Sequence, residues 1–281
     1  MKTFRDKVAV ITGAASGIGR ALANRCATEG MKVVLADIEE EALVQAEAKI
    51  KSTGVEVLSV VTDVSKIEDI KTLARKTLEV FGAVHLLCNN AGVGAGSTVW
   101  GTTINEWKWV FGVNLWGVIY GVHVFAPIML AQDSESHIVN TASLAGLISY
   151  HGAAPYHASK HAVVAISEEM YYDLGENGGK VKVSVLCPGW VKTRILESGR
   201  NRPVELQDSV AAEPVVTPEM EAMGREFQQA VETGMSPDMV ADQVFHSIAR
   251  DQFYILTHPE YTPVVKARME AVIAGSNPLH L

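Results

Sequence analysis

Short, almost unbroken apolar runs alternate along this chain with longer stretches in which apolar residues recur every three or four positions. The first pattern reads as buried strands and the second as amphipathic helices. Residues 7–12 (Lys-Val-Ala-Val-Ile-Thr) predict the first strand, and a helical pattern starts at Arg20. Strands follow at 31–37, 55–61, 84–88, 137–141, 181–186 and 253–256. Between them lie helical patterns at 39–51, up to Val80 with Asp63 or Ser65 as its cap, 104–130, 155–176, and from Ser236-Pro237 to Arg250. Asn177-Gly-Gly ends the 155–176 helix, and a terminal helix runs from His258-Pro259 to about residue 274. Strands alternating with helices imply an α/β fold: a doubly wound parallel sheet of about seven strands with helices on both faces. Residues 1–281 read as a single domain.

Residues 194–235 break this rhythm. They hold Pro203, Pro214 and Pro218, scattered apolar residues and one helical pattern near 218–232. A long connection of this kind is either a lid over a site or a surface insertion. Residues 259–281 form a C-terminal helical extension beyond the last strand.

Composition narrows the function classes. Apolar residues make up 48% and charged residues 20% of the chain, ordinary for a protein with a sizeable core. A net charge of −8 argues against a nucleic-acid partner. No apolar run reaches the roughly 18 residues of a membrane span. The N-terminal residues lead straight into a strand without a secretory leader. Cys26, Cys88 and Cys187 stand in apolar surroundings without metal or redox spacing. Buried free thiols and a cytoplasmic location are the expectation.

Candidate chemistry lies at strand ends. Gly13-Ala-Ala-Ser16-Gly17-Ile18-Gly19 sits between the first strand and its helix. That context lets backbone approach a pyrophosphate while the helix N-terminus supplies N–H donors. Asp37 ends the second strand, 24 residues after Gly13, near the spacing of an acid that binds a ribose 2′-hydroxyl. Its carboxylate repels a 2′-phosphate. Ile38, Glu39, Glu40 and Glu41 follow with no adjacent base, so NAD is favoured over NADP. The alternative is that Asp37 caps the next helix. Tyr156 and Lys160 are four residues apart and share a helix face behind Pro155. A nearby ammonium favours the phenolate of a tyrosine whose ordinary pKa is about 10. The Ser143 hydroxyl can hold a substrate oxygen against that tyrosine. Taken alone, a Y-x-x-x-K spacing is common on helices.

The motifs together resemble those of the short-chain dehydrogenase/reductase family, over residues 5 to about 193. T-G-x-x-x-G-x-G stands as Thr12-Gly13-Ala-Ala-Ser-Gly17-Ile-Gly19, and N-N-A-G as Asn89-Asn90-Ala91-Gly92. The family's helix asparagine is Asn114, its serine Ser143, and its Y-x-x-x-K runs from Tyr156 to Lys160, thirteen residues past Ser143. P-G-x-x-x-T stands as Pro188-Gly189-Trp-Val-Lys-Thr193. One departure is His85, where many members carry an aspartate; a structural consequence is expected.

The resemblance implies a Rossmann-type fold and a tetrad. Tyr156 is then the acid/base, Lys160 lowers its pKa and holds the nicotinamide ribose, Ser143 polarises the substrate oxygen, and Asn114 holds a relay water. Cofactor contacts carry over to Gly13, Ser16, Gly17, Ile18 and Asp37; to Asp63 and Val64 at the adenine; to Asn90, Ala91 and Gly92; and to Pro188, Gly189, Val191 and Thr193 at the nicotinamide. Two alternatives stay open: Asn114 as a core-capping amide, and Asn89 as a tie between strands. The family also implies a homotetramer or homodimer built on the long helices. Gly94, Ala95, Ala145 and Gly146 are expected to leave room for substrate, and Trp190 with the 194–235 segment to form an apolar wall. His151 is open between a substrate contact and a surface residue. The expected activity is NAD-dependent interconversion of a hydrophobic secondary alcohol and ketone, aryl or alicyclic. A hydroxysteroid-type dehydrogenase is the neighbouring alternative. An NADP reductase and a non-catalytic NAD-binding protein are the competing classes.

Overall fold

The computed structural model describes residues 1–132, 134–176, 179–208 and 218–278. Seven strands form one parallel sheet in the order β3-β2-β1-β4-β5-β6-β7. They are β1 (Val8–Thr12), β2 (Lys32–Asp37), β3 (Val57–Val61), β4 (Leu86–Asn89), β5 (Ser136–Thr141), β6 (Val181–Cys187) and β7 (Tyr254–Leu256). Every residue of β1 and β5 is buried, because helices cover both faces of the sheet; this is why the strands read as unbroken apolar runs.

The connecting helices are α1 (Gly17–Thr28), α2 (Glu40–Lys51), α3 (Ile67–Phe81), α4 (Ile104–Phe111), α5 (Gly117–Ala131), α6 (Ala154–Glu176), α7 (Pro218–Glu232), α8 (Pro237–Ala249) and α9 (Thr262–Ile273). Local chemistry sets several of their ends. Gly82 adopts φ +74° and closes α3 by donating its N–H to the Leu78 carbonyl. Thr103 and Ser236 cap α4 and α8 by accepting from the N–H groups of Glu106 and Met239. Strand order reverses between β1 and β4, which opens a crevice at the carboxyl ends of these strands.

Two features depart from the expected pattern. The helical region 104–130 is continuous but carries a π-turn at Gly112–Trp116, between α4 and α5. Among the described residues this composite helix, Ile104–Ala131, is the one long and apolar enough to cross a membrane. A search for an unbroken apolar run passes over it, because Asn114, His123 and Pro127 interrupt the run. Its Val118, Phe125 and Met129 are buried in the core of the sheet, as in a core helix. The predicted strand at 84–88 starts late, at Leu86. Val84 is drawn out of the ladder by Gln132, whose side-chain amide accepts from its N–H at 2.6 Å and donates to its carbonyl at 2.7 Å.

The three cysteines are buried free thiols. His85 has a structural role, as expected: its Nδ1 accepts from the Val8 N–H at 3.1 Å. His137, fully buried, shares a hydrogen bond with Ser184 Oγ at 2.8 Å. Burial pushes His85 down to about 4 and His137 down to about 3. Below pH of about 6.5 the unfolded chain takes up protons that the folded one refuses, so stability falls as pH falls. The urea midpoint is expected to drop between pH 6.5 and 5, less steeply in His85→Gln. A midpoint flat over that range would contradict this account.

Candidate active site

A cavity of about 1020 Å³ opens at the strand-order reversal. Of the predicted site residues, all but Asn114 line it. The glycine turn forms its floor. Gly13 and Gly17 take φ of +65° and +52°, the left-handed region that glycine alone enters freely. A Cβ on Gly13 would lie 2.8 Å from Ala91 Cα, and one on Gly19 would lie 2.0 Å from the Gly13 carbonyl oxygen. Thr12 Oγ1 ties the two turns together by accepting from Asn90 N–H at 2.9 Å and Ala91 N–H at 3.0 Å. The first turn of α1 holds no acidic side chain and Ser16 makes no capping bond. The N–H donors and positive end of this helix are therefore available to an anion. This cradle fits a dinucleotide pyrophosphate. Gly19→Ala is expected to lower NADH affinity at least about tenfold and to lower the thermal midpoint, because the collision is with backbone. Unchanged titration and melting curves would contradict the close approach.

Asp37 closes β2, 9% exposed. Its Oδ2 accepts from Ala15 N–H at 2.9 Å and its Oδ1 from Glu39 N–H at 3.0 Å. It thus fixes both the glycine turn and the start of α2 while lining the cavity. Burial raises its pKa, and these backbone donors offset the rise only in part. Asp63 binds Ser65 through N–H (3.0 Å) and Oγ (2.6 Å). It shapes the turn before α3, which starts at Ile67.

At the other end of the cavity, the first turns of α6 place Tyr156 and Lys160 on one face. Lys160 Nζ sits 5.7 Å from the centre of the Tyr156 ring and donates to the Thr141 carbonyl at 2.9 Å. Lys160 is 3% exposed, and burial pulls its pKa down to about 8. Burial raises the Tyr156 pKa, and Ser143 pulls it partly back. Ser143, at the end of the loop after β5, accepts from Ala145 N–H at 3.1 Å.

Asn114 stands behind the cavity wall, in the π-turn. Its Oδ1 accepts from Val93 N–H at 2.8 Å, and its Nδ2 donates to Val93 O at 2.9 Å and Ser159 Oγ at 3.3 Å. The side chain holds the strand-to-helix loop, which favours the core-capping alternative for the amide itself. Asn89 ties strands: its Nδ2 donates to Asn140 Oδ1 at 2.9 Å. Gly146 does not leave room for substrate. A Cβ there would lie 2.6 Å from the Lys160 carbonyl, so its smallness serves the packing of α6. Gly94, Ala95 and Ala145 line the cavity, and a Cβ on Gly94 would lie 3.1 Å from Ile195.

Residues of the 194–208 segment and of α7 line the cavity; residues 209–217 of the predicted lid lie outside the described residues. Phe227 of α7 meets Trp190 at 5.3 Å and Tyr150 at 5.9 Å between ring centres. His151 is exposed at the rim and lines the cavity. Three contacts escaped the sequence, because they join residues far apart in the chain. His258 Nδ1 accepts from Gly189 N–H at 3.1 Å, so its Nε2 carries the proton and donates to Trp190 O at 3.0 Å. Ser198 Oγ accepts from Gly94 N–H at 3.0 Å. Arg200 Nη2 and Asn201 Nδ2 reach Glu39 Oε1 at 2.6 and 2.9 Å. Residues 38–41 carry no base, but the segment after β6 brings Arg194 and Arg200 to Glu39.

Comparison with known proteins agrees with this geometry. The sequence model of the family described as short chain dehydrogenase matches residues 7–203. A CLA biosynthesis dehydrogenase/reductase of Lactiplantibacillus plantarum is 37% identical over 99% of this chain and 97% of its own length. A 1-deoxy-11-beta-hydroxypentalenate dehydrogenase of Streptomyces exfoliatus is 36% identical over 92% of this chain and 85% of its own. The crystal structure of a short chain dehydrogenase/reductase from Burkholderia phymatum in complex with NAD superposes with a TM-score of 0.96. That protein is 48% identical, and the match covers 100% of this chain and 99% of that one. With the fold, the glycine cradle and the Tyr156–Lys160 pair already in place, these matches show that the chain belongs to the short-chain dehydrogenase/reductase family, as an NAD-linked oxidoreductase of alcohols and ketones.

Proposed function

We propose that the protein interconverts a hydrophobic secondary alcohol, aryl or alicyclic, with its ketone. The observation that carries this reading is one cavity holding Ser143, Tyr156 and Lys160 at its inner end beneath an apolar wall of Ile148, Tyr150, Trp190 and Phe227. Such a wall accepts an apolar body, and few polar groups fix its orientation. The named substrate of the Streptomyces relative, a hydroxy compound, is consistent with an alcohol as donor.

NAD, when bound, takes up or returns the hydride at the reacting carbon. Gly13, Ser16, Gly17 and Ile18 would hold its pyrophosphate and Asp37 its adenosine ribose. Asp63 and Val64 would flank the adenine, and Asn90, Ala91 and Gly92 would line the path between. Pro188, Gly189, Val191 and Thr193 would frame the nicotinamide. In the oxidative direction Ser143 donates to the substrate oxygen and the Tyr156 phenolate takes the hydroxyl proton; in reduction the phenol returns it. Lys160 holds a positive charge behind the ring and would bind the nicotinamide ribose. Since the Asn114 amide is engaged with Val93, a relay water would be held by the backbone of its π-turn. Segment 194–235 acts as the lid, with Ser198 and Phe227 as its contacts to the body.

A cofactor-paired screen tests this reading. NAD or NADP is offered with aliphatic, alicyclic, aryl and steroid secondary alcohols, and the reduced cofactors with the matching ketones. Turnover with NAD on bulky apolar alcohols is expected. Turnover of short polar polyols alone would discard the apolar-wall argument. Exposed Trp116 and Leu130 on the composite helix and Tyr171 and Tyr172 on α6 support a homotetramer built on these helices. The free thiols suit a cytoplasmic enzyme.

A further inference from the structure

We infer that Glu39 is a second determinant of cofactor choice: it occupies the Arg200 and Arg194 guanidiniums beside Asp37, so that a 2′-phosphate would meet carboxylates and no free cation. The inference rests on the reading that Asp37 faces the adenosine ribose. Glu39 stands two residues past Asp37, at the corner from which α2 starts, and all four side chains line the cavity. Arg200 reaches Glu39 Oε1 through Nη2 at 2.6 Å and Nε at 3.1 Å. Asn201 Nδ2 adds a third donor to the same oxygen at 2.9 Å, and Arg194 Nη1 lies 3.7 Å from Oε2. The Arg200 guanidinium is also oriented from behind, where Nη1 donates to the Glu197 carbonyl at 2.9 Å. Arg194 pairs in turn with Glu197 at 2.8 Å.

The charges decide the outcome. Among the described residues, four lysine and arginine side chains line the cavity. Lys160 belongs to the reacting end, Lys108 stands on α4, and the two arginines form this cluster. Glu39 and Glu197 balance Arg194 and Arg200, so the charge of Asp37 remains unopposed. A 2′-phosphate carries about −1.5 to −2, and at this corner both guanidiniums are already paired with carboxylates. Arg200 nevertheless has the planar fork that binds phosphate well, and the two nitrogens it commits to Glu39 are withheld from that use. The strongest features of the corner are therefore a carboxylate that repels and a second carboxylate that removes the competing attraction.

The test measures NADH and NADPH dissociation constants by fluorescence titration, a readout independent of turnover. The proteins are wild type, D37S, E39Q and D37S/E39Q, each with and without R200M. E39Q is expected to tighten NADPH binding about tenfold relative to its parent in the D37S background. NADH binding would change less than about threefold, and R200M would abolish the gain. In wild type, R200M is expected to leave NADPH affinity within about twofold. The inference is overturned if E39Q gives no NADPH gain in either background, or if the gain survives R200M. It is also overturned if R200M weakens NADPH as strongly in wild type as in E39Q, because Arg200 would then reach the phosphate already. D37S alone addresses the other reading: if it leaves the NADH preference intact, Asp37 is not the ribose ligand, and the E39Q comparisons retain their meaning.

Discussion

Tyr156→Phe is expected to lower kcat by about three orders of magnitude while NADH binds within about twofold of wild type. The side chain is partly open to the cavity at the same end as Ser143 and Lys160, so the hydroxyl can reach a substrate oxygen. Phenylalanine keeps the ring and its packing and removes only the proton donor. The ring lies within α6, whose register is held by buried Val163, Val164 and Ser167 further along, so the variant keeps its fold. Loss of turnover with retained NADH titration therefore isolates the proton step. Near-wild-type turnover would assign acid–base chemistry elsewhere; a parallel loss of NADH affinity would show that the hydroxyl serves binding.

The order of strands and helices was legible because a sheet covered on both faces requires apolar runs, and these stand out between periodic helices. The candidate trio was picked out for a different reason: motif order and spacing, from the glycine turn through Ser143 to Lys160. The π-turn at 112–116 was hidden, because one added residue barely disturbs an apolar period. The late start of β4 was hidden as well, since it depends on Gln132, 48 residues from Val84. Contacts that join distant segments leave no local trace. His258 reaches Gly189 across 69 residues, Ser198 reaches Gly94 across 104, and Arg200 reaches Glu39 across 161. Small residues were legible as small but not by purpose. Gly146 resembles space for substrate in the sequence and proves to be space for the backbone of α6.

Replacing Lys160 by methionine is expected to cut kcat/KM for alcohol oxidation by about 10²–10³-fold at pH 7 and to move the acidic limb of its pH profile upward by at least about one unit. In the proposed mechanism, oxidation needs the phenolate of Tyr156. Burial raises the pKa of that phenol, so the fold by itself works against the reactive form. Ser143 pulls it partly back, and the ammonium 5.7 Å from the ring centre is proposed as the further counterweight. An opposite charge at this range favours the charged form by about one to three units. Methionine fills the same volume in the buried position without the charge, so the phenol titrates higher and oxidation requires more alkaline solution. The sign reverses for ketone reduction, where the protonated phenol is the reactant and its range extends upward. Lys160 is itself pulled down to about 8 by burial, so in the cofactor-free protein it gives up its proton just above neutral pH. The profile of the wild type therefore contains the titration of Lys160 as well as that of Tyr156. Methionine leaves one titration where wild type has two. The comparison is made on kcat/KM between pH 6 and 10 in both directions. The acidic limb of oxidation and the basic limb of reduction are both expected to move to higher pH, and an unshifted acidic limb would mean that Lys160 acts through cofactor binding alone.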